Sequence, residues 1–159
     1  MRTVVVQAHP LDDSCNAALL DAVVSGLEAA GTVPEVYRVA DGGGPDAAGL
    51  AGLERLVLVY PTWWGGLPAS LLDWVRGLVI DGVALPSVTE LVVVTTCGSS
   101  RLLNTIQGEW GKRYLERRLA PRCASGTKLE WLALYKIDRQ SRDEITAFIG
   151  SVEHRFADT

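Results

Sequence analysis

The sequence predicts an α/β domain, an open doubly wound sheet of five parallel strands with helices on both faces. Three observations carry that expectation. Short runs rich in β-branched residues alternate with longer segments of helical period. The runs are apolar throughout, as suits strands covered on both sides. The 159 residues amount to one domain's worth, and no repeat or low-complexity linker divides residues 1–159.

Residues 3–8 (TVVVQA) read as a first, central strand. After a polar loop, Leu19, Leu20, Val23, Val24 and Leu27 step by three and four from Asn16 onward, and Gly31 stops the helix. Residues 33–39 are the second strand, followed by the Gly42, Gly43, Gly44 triplet and a short, weak helix up to Leu53. The third strand, residues 55–60 (RLVLVY), is expected to stop at Pro61, which has no amide hydrogen for a ladder. Pro68 suits a first helical position, and Leu71, Leu72, Val75, Leu78 and Val79 form one face. Strand four covers 88–96, a helix 104–119, and strand five 128–136. Ser141 and Glu144 have capping-box spacing ahead of a last amphipathic helix carrying Ile145, Phe148, Ile149, Val152 and Phe156. The commonest arrangement of such units is the flavodoxin-like order 2-1-3-4-5, taken here by analogy.

Composition narrows the function. An apolar share of 48% and a charged share of 21% exclude disordered and disulfide-scaffold classes. Fifteen Lys and Arg against nineteen Asp and Glu leave a net charge of -4, so no sequence-wide field draws nucleic acid or anionic lipid. No apolar run reaches the roughly 18 residues of a spanning helix, and the opening MRTVVVQAHPL is too short for a signal peptide. Cys15, Cys97 and Cys123 are odd in number and form no CxxC pair. A cytoplasmic protein with reduced thiols and no membrane insertion is expected. Two histidines, His9 and His154, leave little for metal sites or serine triads.

Ligands of doubly wound sheets sit beyond the carboxyl ends of the strands, which selects the loops after strands one, three and four. The first, residues 9–16 (HPLDDSCN), runs into a helix whose free amides and positive dipole end suit a phosphate, with Ser14, Asn16 and His9 as added donors. A plain helix cap by Ser14 or Asn16 fits equally well. Asp12 and Asp13 would have to face solvent beside a phosphate. The second, residues 60–69 (YPTWWGGLPA), puts two adjacent tryptophans at a strand exit, where both cannot face one core, and so suits a flat aromatic cofactor. The third, residues 95–100 (TTCGSS), is small and polar enough to bond a heterocycle's edge, or to be an ordinary turn. GxGxxG after strand one, GxxxxGK[ST], HExxH and GxSxG are all missing.

In chain order, Ala8-His9-Pro10 with Ser14 and Asn16, Tyr60-Pro61-Thr62-Trp63-Trp64 through Leu67-Pro68-Ala69, and Thr95-Thr96 with Gly98 resemble the NAD(P)H quinone oxidoreductase branch of the flavodoxin-like flavoproteins, including the potassium-efflux ancillary quinone reductases. The resemblance covers most of the chain. It implies a noncovalent flavin, FMN favoured over FAD because the chain is short, reduced by NADH or NADPH and reoxidised by a small acceptor such as a quinone. It also implies a homodimer with active sites at the subunit interface. His9, Ser14, Cys15 and Asn16 would hold the phosphate and ribityl chain, Pro61, Thr62, Trp63 and Trp64 would flank the ring, and Thr95, Thr96, Cys97 and Gly98 would line its other edge. Trp63, Trp64 and Cys97 are the catalytic candidates on this resemblance.

The chain departs from the family in two places. Cys97 stands where the family usually has glycine, placing a thiol near the ring. Matching Ile106-Gln107-Gly108 to the family's Leu-Gln-Gly puts Trp110 at the position of a charge-handling histidine and Leu103 or Asn104 at that of a tyrosine. Reductases of azo, nitro or biosynthetic substrates, and a flavodoxin-type electron carrier, remain alternatives. A receiver-like signalling module would use Asp12, Asp13, Thr96 and Lys136, but strand three ends in Tyr60-Pro61 where it needs a phosphoacceptor aspartate.

Overall fold

The apolar runs become five strands, β1 (Thr3–Gln7), β2 (Glu35–Arg38), β3 (Arg55–Thr62), β4 (Glu90–Cys97) and β5 (Leu129–Tyr135). All neighbours pair in parallel, in the order β2-β1-β3-β4-β5. The structure is a computed structural model that describes residues 1–11 and 14–158. The expectation that Asp12 and Asp13 face solvent lies outside those residues. The helices are α1 (Cys15–Ala29), α2 (Ala69–Ile80), α3 (Arg101–Ile106), α4 (Trp110–Tyr114) and α5 (Arg142–Ala157).

Side chains alternate across the sheet, so successive valines serve two cores. Val4, Val6, Leu56, Leu58, Tyr60, Leu91 and Val93 pack with Leu71, Val75 and Leu78 of α2 and with Leu115 and Leu119. Val5, Val57, Val59, Val92 and Val94 pack with Leu19, Leu20, Val23 and Leu27 of α1 and with Val152 and Phe156 of α5. The capping box at α5 forms in both directions: the Ser141 amide donates to Glu144 Oε2 at 2.7 Å, and the Glu144 amide donates to Ser141 Oγ at 3.2 Å. At the amino ends of β3 and β4, buried Arg55 grips Glu90 with two bonds of 2.7 and 3.2 Å. A bidentate pair at this position ties β3 to β4 at the end of the sheet opposite the three loops. Arg155 ties α5 to β5 through Glu130 in the same way.

Three expectations are corrected. β3 does not stop at Pro61 but runs on to Thr62. The Val59 carbonyl accepts from Ala8, so Val59 faces β1, and Pro61 two residues later faces the same side. β1 has already ended there, so the missing amide costs no ladder bond. The weak helix before Leu53 is a series of turns. The helix read over residues 104–119 is broken. It begins earlier, with Ser100 capping α3, stops at Gly108 (φ 90°) and Glu109 (φ 40°), and resumes as α4. Glycine makes the left-handed reversal inexpensive, and Glu109 extends it. α4 then continues into a π-helical turn over Leu115–Leu119.

α1 and α5 cross so closely at Gly26 that an added Cβ would lie inside contact distance of the Glu153 carbonyl and 2.9 Å from Phe156 Cβ. Gly26→Ala should therefore lower the unfolding free energy by about 1–3 kcal/mol through overpacking. Urea titration checks it; an unchanged midpoint would mean that the two helices separate freely.

Candidate functional site

The three loops selected from the sequence converge at the carboxyl end of the sheet. The His9 and Trp63 rings are 6.3 Å apart, joining the first loop to the second. The Thr62 and Thr95 hydroxyls share a hydrogen bond of 2.8 Å, joining the second to the third.

In the first loop Ser14 is the N-cap of α1, its Oγ accepting from the Ala17 amide at 3.1 Å. The cap reading thus holds for Ser14. The amides of Cys15 and Asn16 come earlier in the turn and have no intrahelical acceptor. Asn16 is 3% exposed. Its Oδ1 accepts from Gln7 at 3.3 Å, while its buried Nδ2 has no partner among the described residues. Such a donor costs about 1–3 kcal/mol unless something outside the fold accepts from it. His9 Nδ1 lies 3.1 Å from the Leu11 amide and 3.2 Å from the Leu11 carbonyl, so this side of the ring is engaged by its own loop and Nε2 is the nitrogen outside these contacts. Cys15, half-buried on the first turn, has its thiol pKa pushed up by burial.

The second loop is a tight reversal closed by two bonds, Trp63 amide to Gly66 carbonyl at 3.2 Å and Gly66 amide to Trp63 carbonyl at 2.9 Å. Trp64 (φ 54°) and Gly65 (φ 71°) are both left-handed, as a type I′ turn requires. Tryptophan in that region costs about 1–2 kcal/mol. Both tryptophans leave the core, Trp63 at 48% exposure and Trp64 at 94%. Pro61 has no amide hydrogen and the Trp63 amide is used within the turn, so the free donors at its crest are Trp64 and Gly65.

The turn is latched by α4, a contact that sequence reasoning missed. Trp110 Nε1 donates to the Trp64 carbonyl at 3.2 Å, and the Gly111 amide donates to the Gly65 carbonyl at 3.1 Å. The indole of Trp110 lies flush on Gly66, where any Cβ would fall within the ring. Trp110, aligned from sequence with a charge-handling position, therefore acts as a wall and as an indole donor to the turn's backbone. Asn104 is tied down by donating to Ser99 Oγ at 2.8 Å and to the Ser100 carbonyl at 3.0 Å.

In the third loop Thr95 and Cys97 are buried and Thr96 is nearly so. Gly98 lies beside the Asp138 carboxylate, 3.4 Å from where a Cβ would stand. Cys97, Thr62 and Gly65 border a water-sized void of about 10 Å³ that also touches Glu109, Lys112 and Tyr135. It shares Glu109, Lys112, Trp131 and Tyr135 with a polar depression of about 280 Å³ that Arg101 and Thr105 also line. Burial pushes the Cys97 thiol up, partly offset by a hydrogen bond with Thr62 and reinforced by Glu109. Cys97 is therefore a neutral thiol near pH 7, not a thiolate nucleophile. Burial also raises Tyr135, leaving a protonated phenol at the void. Glu109, Lys112, Trp131 and Tyr135 carried no local motif; only the strand order brings them together.

No family model matches the chain, and no curated protein matches it by sequence. Solved structures do. The Streptococcus mutans protein Smu.1420 superposes with a TM-score of 0.84 at 19% identity, covering 100% of both chains. An NAD(P)H:quinone oxidoreductase from Methanothermobacter marburgensis gives 0.78 at 17%, covering 99% of this chain and 96% of that one. An FMN-dependent NADH-azoreductase from Bacillus anthracis, solved with FMN, gives 0.75 at 13%, covering 99% of each. The chain has the flavodoxin-like fold. No helix of the described residues is long and apolar enough to cross a membrane.

The latch predicts a coupled pair. Gly66→Ala should displace the Trp110 ring, shift tryptophan emission and destabilise the protein by about 1–3 kcal/mol. In a Gly66→Ala/Trp110→Ala protein most of that strain should vanish, so a double-mutant cycle will give a coupling of at least about 1 kcal/mol. Additive losses would rule out the contact.

Proposed function

We propose that the chain is a flavin-dependent oxidoreductase that takes hydride from NADH or NADPH and passes two electrons to a quinone or similar small acceptor, with FMN as its resident group. The observation that carries this reading is the unpartnered, buried Nδ2 of Asn16 at the amino end of α1, beside amides that no helical carbonyl satisfies. A phosphate supplies acceptors for all of them, and the positive end of a helix of 15 residues favours its charge. Support also comes from the fold shared with a quinone oxidoreductase and an FMN-dependent azoreductase.

When bound, the flavin supplies the hydride-accepting ring. His9 Nε2, the Cys15 and Asn16 amides and Asn16 Nδ2 hold the phosphate end. Trp63 and Trp64 present exposed indoles on which the ring would stack, and the void under the turn is too small to take an organic ring. The Trp64 and Gly65 amides offer preorganised donors where negative charge develops. Thr95, Thr96, Cys97 and Gly98 bound the opposite edge, with Cys97 contributing a neutral, polarizable surface. Tyr135 retains a proton at the void and can release it toward an acceptor. Residues 1–159 act as one domain of a cytoplasmic homodimer in this reading.

Purified protein mixed with FMN should turn yellow and quench flavin fluorescence, and anaerobic NADH or NADPH should bleach it. Protein that stays colourless with both FMN and FAD overturns the proposal, and bound flavin that neither nicotinamide reduces points to the electron carrier. Asn16→Ala should weaken FMN binding by about tenfold, the worth of one charge-assisted bond. Trp64→Ala, which removes an almost fully exposed ring, should leave stability within about 0.5 kcal/mol yet lower turnover or flavin retention. Unchanged values for both would remove Trp64 from the site.

A further inference from the structure

One feature outside the three loops is built and unused. Between the wholly buried Leu115 and Leu119, the Ala120 amide reaches back to the Leu115 carbonyl and closes a π-helical turn. Pro121 follows, with no amide to restore the regular pattern. The wider turn brings residues four and five positions on from Arg113 round to its side, and these are Arg117 and Arg118. All three arginines are exposed. They line one open depression of about 510 Å³, together with Trp110, Tyr114 and Gly108.

Among the described residues, no hydrogen bond or ion pair engages the guanidinium groups of Arg113, Arg117 or Arg118. Arg55 and Arg155 are instead paired with carboxylates, and Arg122 donates to the Val79 and Val83 carbonyls at 2.8 and 2.9 Å. Three unpaired cations crowded together in a chain of net charge -4 repel one another, and an anion relieves that repulsion. Guanidinium forks match phosphate oxygens, and the two aromatic rings offer faces to a flat heterocycle. Trp110 belongs to both regions: it walls this depression and donates to the Trp64 carbonyl of the latched turn. The cationic depression therefore opens directly beside the proposed flavin site.

We propose that this depression holds the adenosine end of the pyridine dinucleotide, with Arg113, Arg117 and Arg118 on its phosphates and Trp110 or Tyr114 against the adenine, and that it selects NADPH over NADH. The selection follows from charge. The pyrophosphate common to both donors carries one charge per phosphate, fewer than the three cations present. The 2′-phosphate of NADPH adds about 1.5 to 2 more and is the group that matches the surplus. This inference rests on the reading of the chain as a nicotinamide-dependent flavoprotein.

Two measurements on the full chain test it. In calorimetry, adenosine 2′,5′-bisphosphate should bind about tenfold or more tightly than 5′-AMP, and Arg117→Ala/Arg118→Ala should abolish the difference. In steady-state kinetics with flavin-loaded protein, the same variant should raise the KM for NADPH by about tenfold or more, with the KM for NADH changed far less and kcat and flavin content retained. Arg117→Lys/Arg118→Lys, which keeps the charge but loses the fork, should fall between the two. Equal binding of the two nucleotides, or an unchanged KM for NADPH, overturns the proposal. If the protein is yellow and bleached by NADPH while these values stay flat, this site alone fails. If it binds no flavin yet holds the bisphosphate through these arginines, the flavoprotein reading fails and the nucleotide-phosphate site stands.

Discussion

The site depends on a step in the carboxyl edge of the sheet. β1 leaves after Gln7, opposite Val59, while β3 continues through Pro61 to Thr62 and β4 to Cys97. Departing early, β1 delivers its chain to the amino end of α1 on one side of the step, and the longer strands carry their loops past it on the other. This notch is the crevice at the point where strand order reverses. Pro61 fits there because it faces the side that β1 has vacated.

A second constraint holds the far wall. The reversal at Trp64 and Gly65, and the break at Gly108 and Glu109, place four left-handed residues within two segments that touch each other. Backbone in those regions persists only where surrounding bonds overdetermine it. Here the two carbonyls at the crest of the turn accept from the first two residues of α4, and Trp110 lies flat on Gly66. Each strained segment thus holds the other. Trp110 of the same helix also lines the arginine-bordered depression, so the latched turn and the cationic surface share one side chain.

Much of this was legible in the sequence. The five apolar runs became the five strands in the expected order, because residues buried on both faces leave a composition that survives shifts of a residue or two at the ends. Ser141 and Glu144 announced their box because capping is local chemistry. Neighbours on an extended chain point opposite ways, so Trp63 and Trp64 could not both face one core; the reversal at Trp64 takes both out of it. The failures were equally physical. Pro61 was read as a stop because a ladder has two sides and the sequence does not say which is empty. The break at Gly108 was hidden because Ile106, Leu115 and Leu119 keep apolar spacing across it. The convergence of Lys112, Trp131 and Tyr135 near Cys97 depends on β4 and β5 being neighbours, which no local pattern encodes.

Cys97 shows what burial does to a reactive residue type. The residue is 2% exposed, and its sulfur shares a bond with Thr62 and keeps its proton. A thiol in that state attacks slowly, binds metals poorly and yields little to oxidants, since all three depend on access and thiolate character. A position that looked chemically armed is therefore an enclosed, protonated thiol. Such an atom can sit beside a centre that trades electrons with its surroundings and stay unconsumed through many cycles.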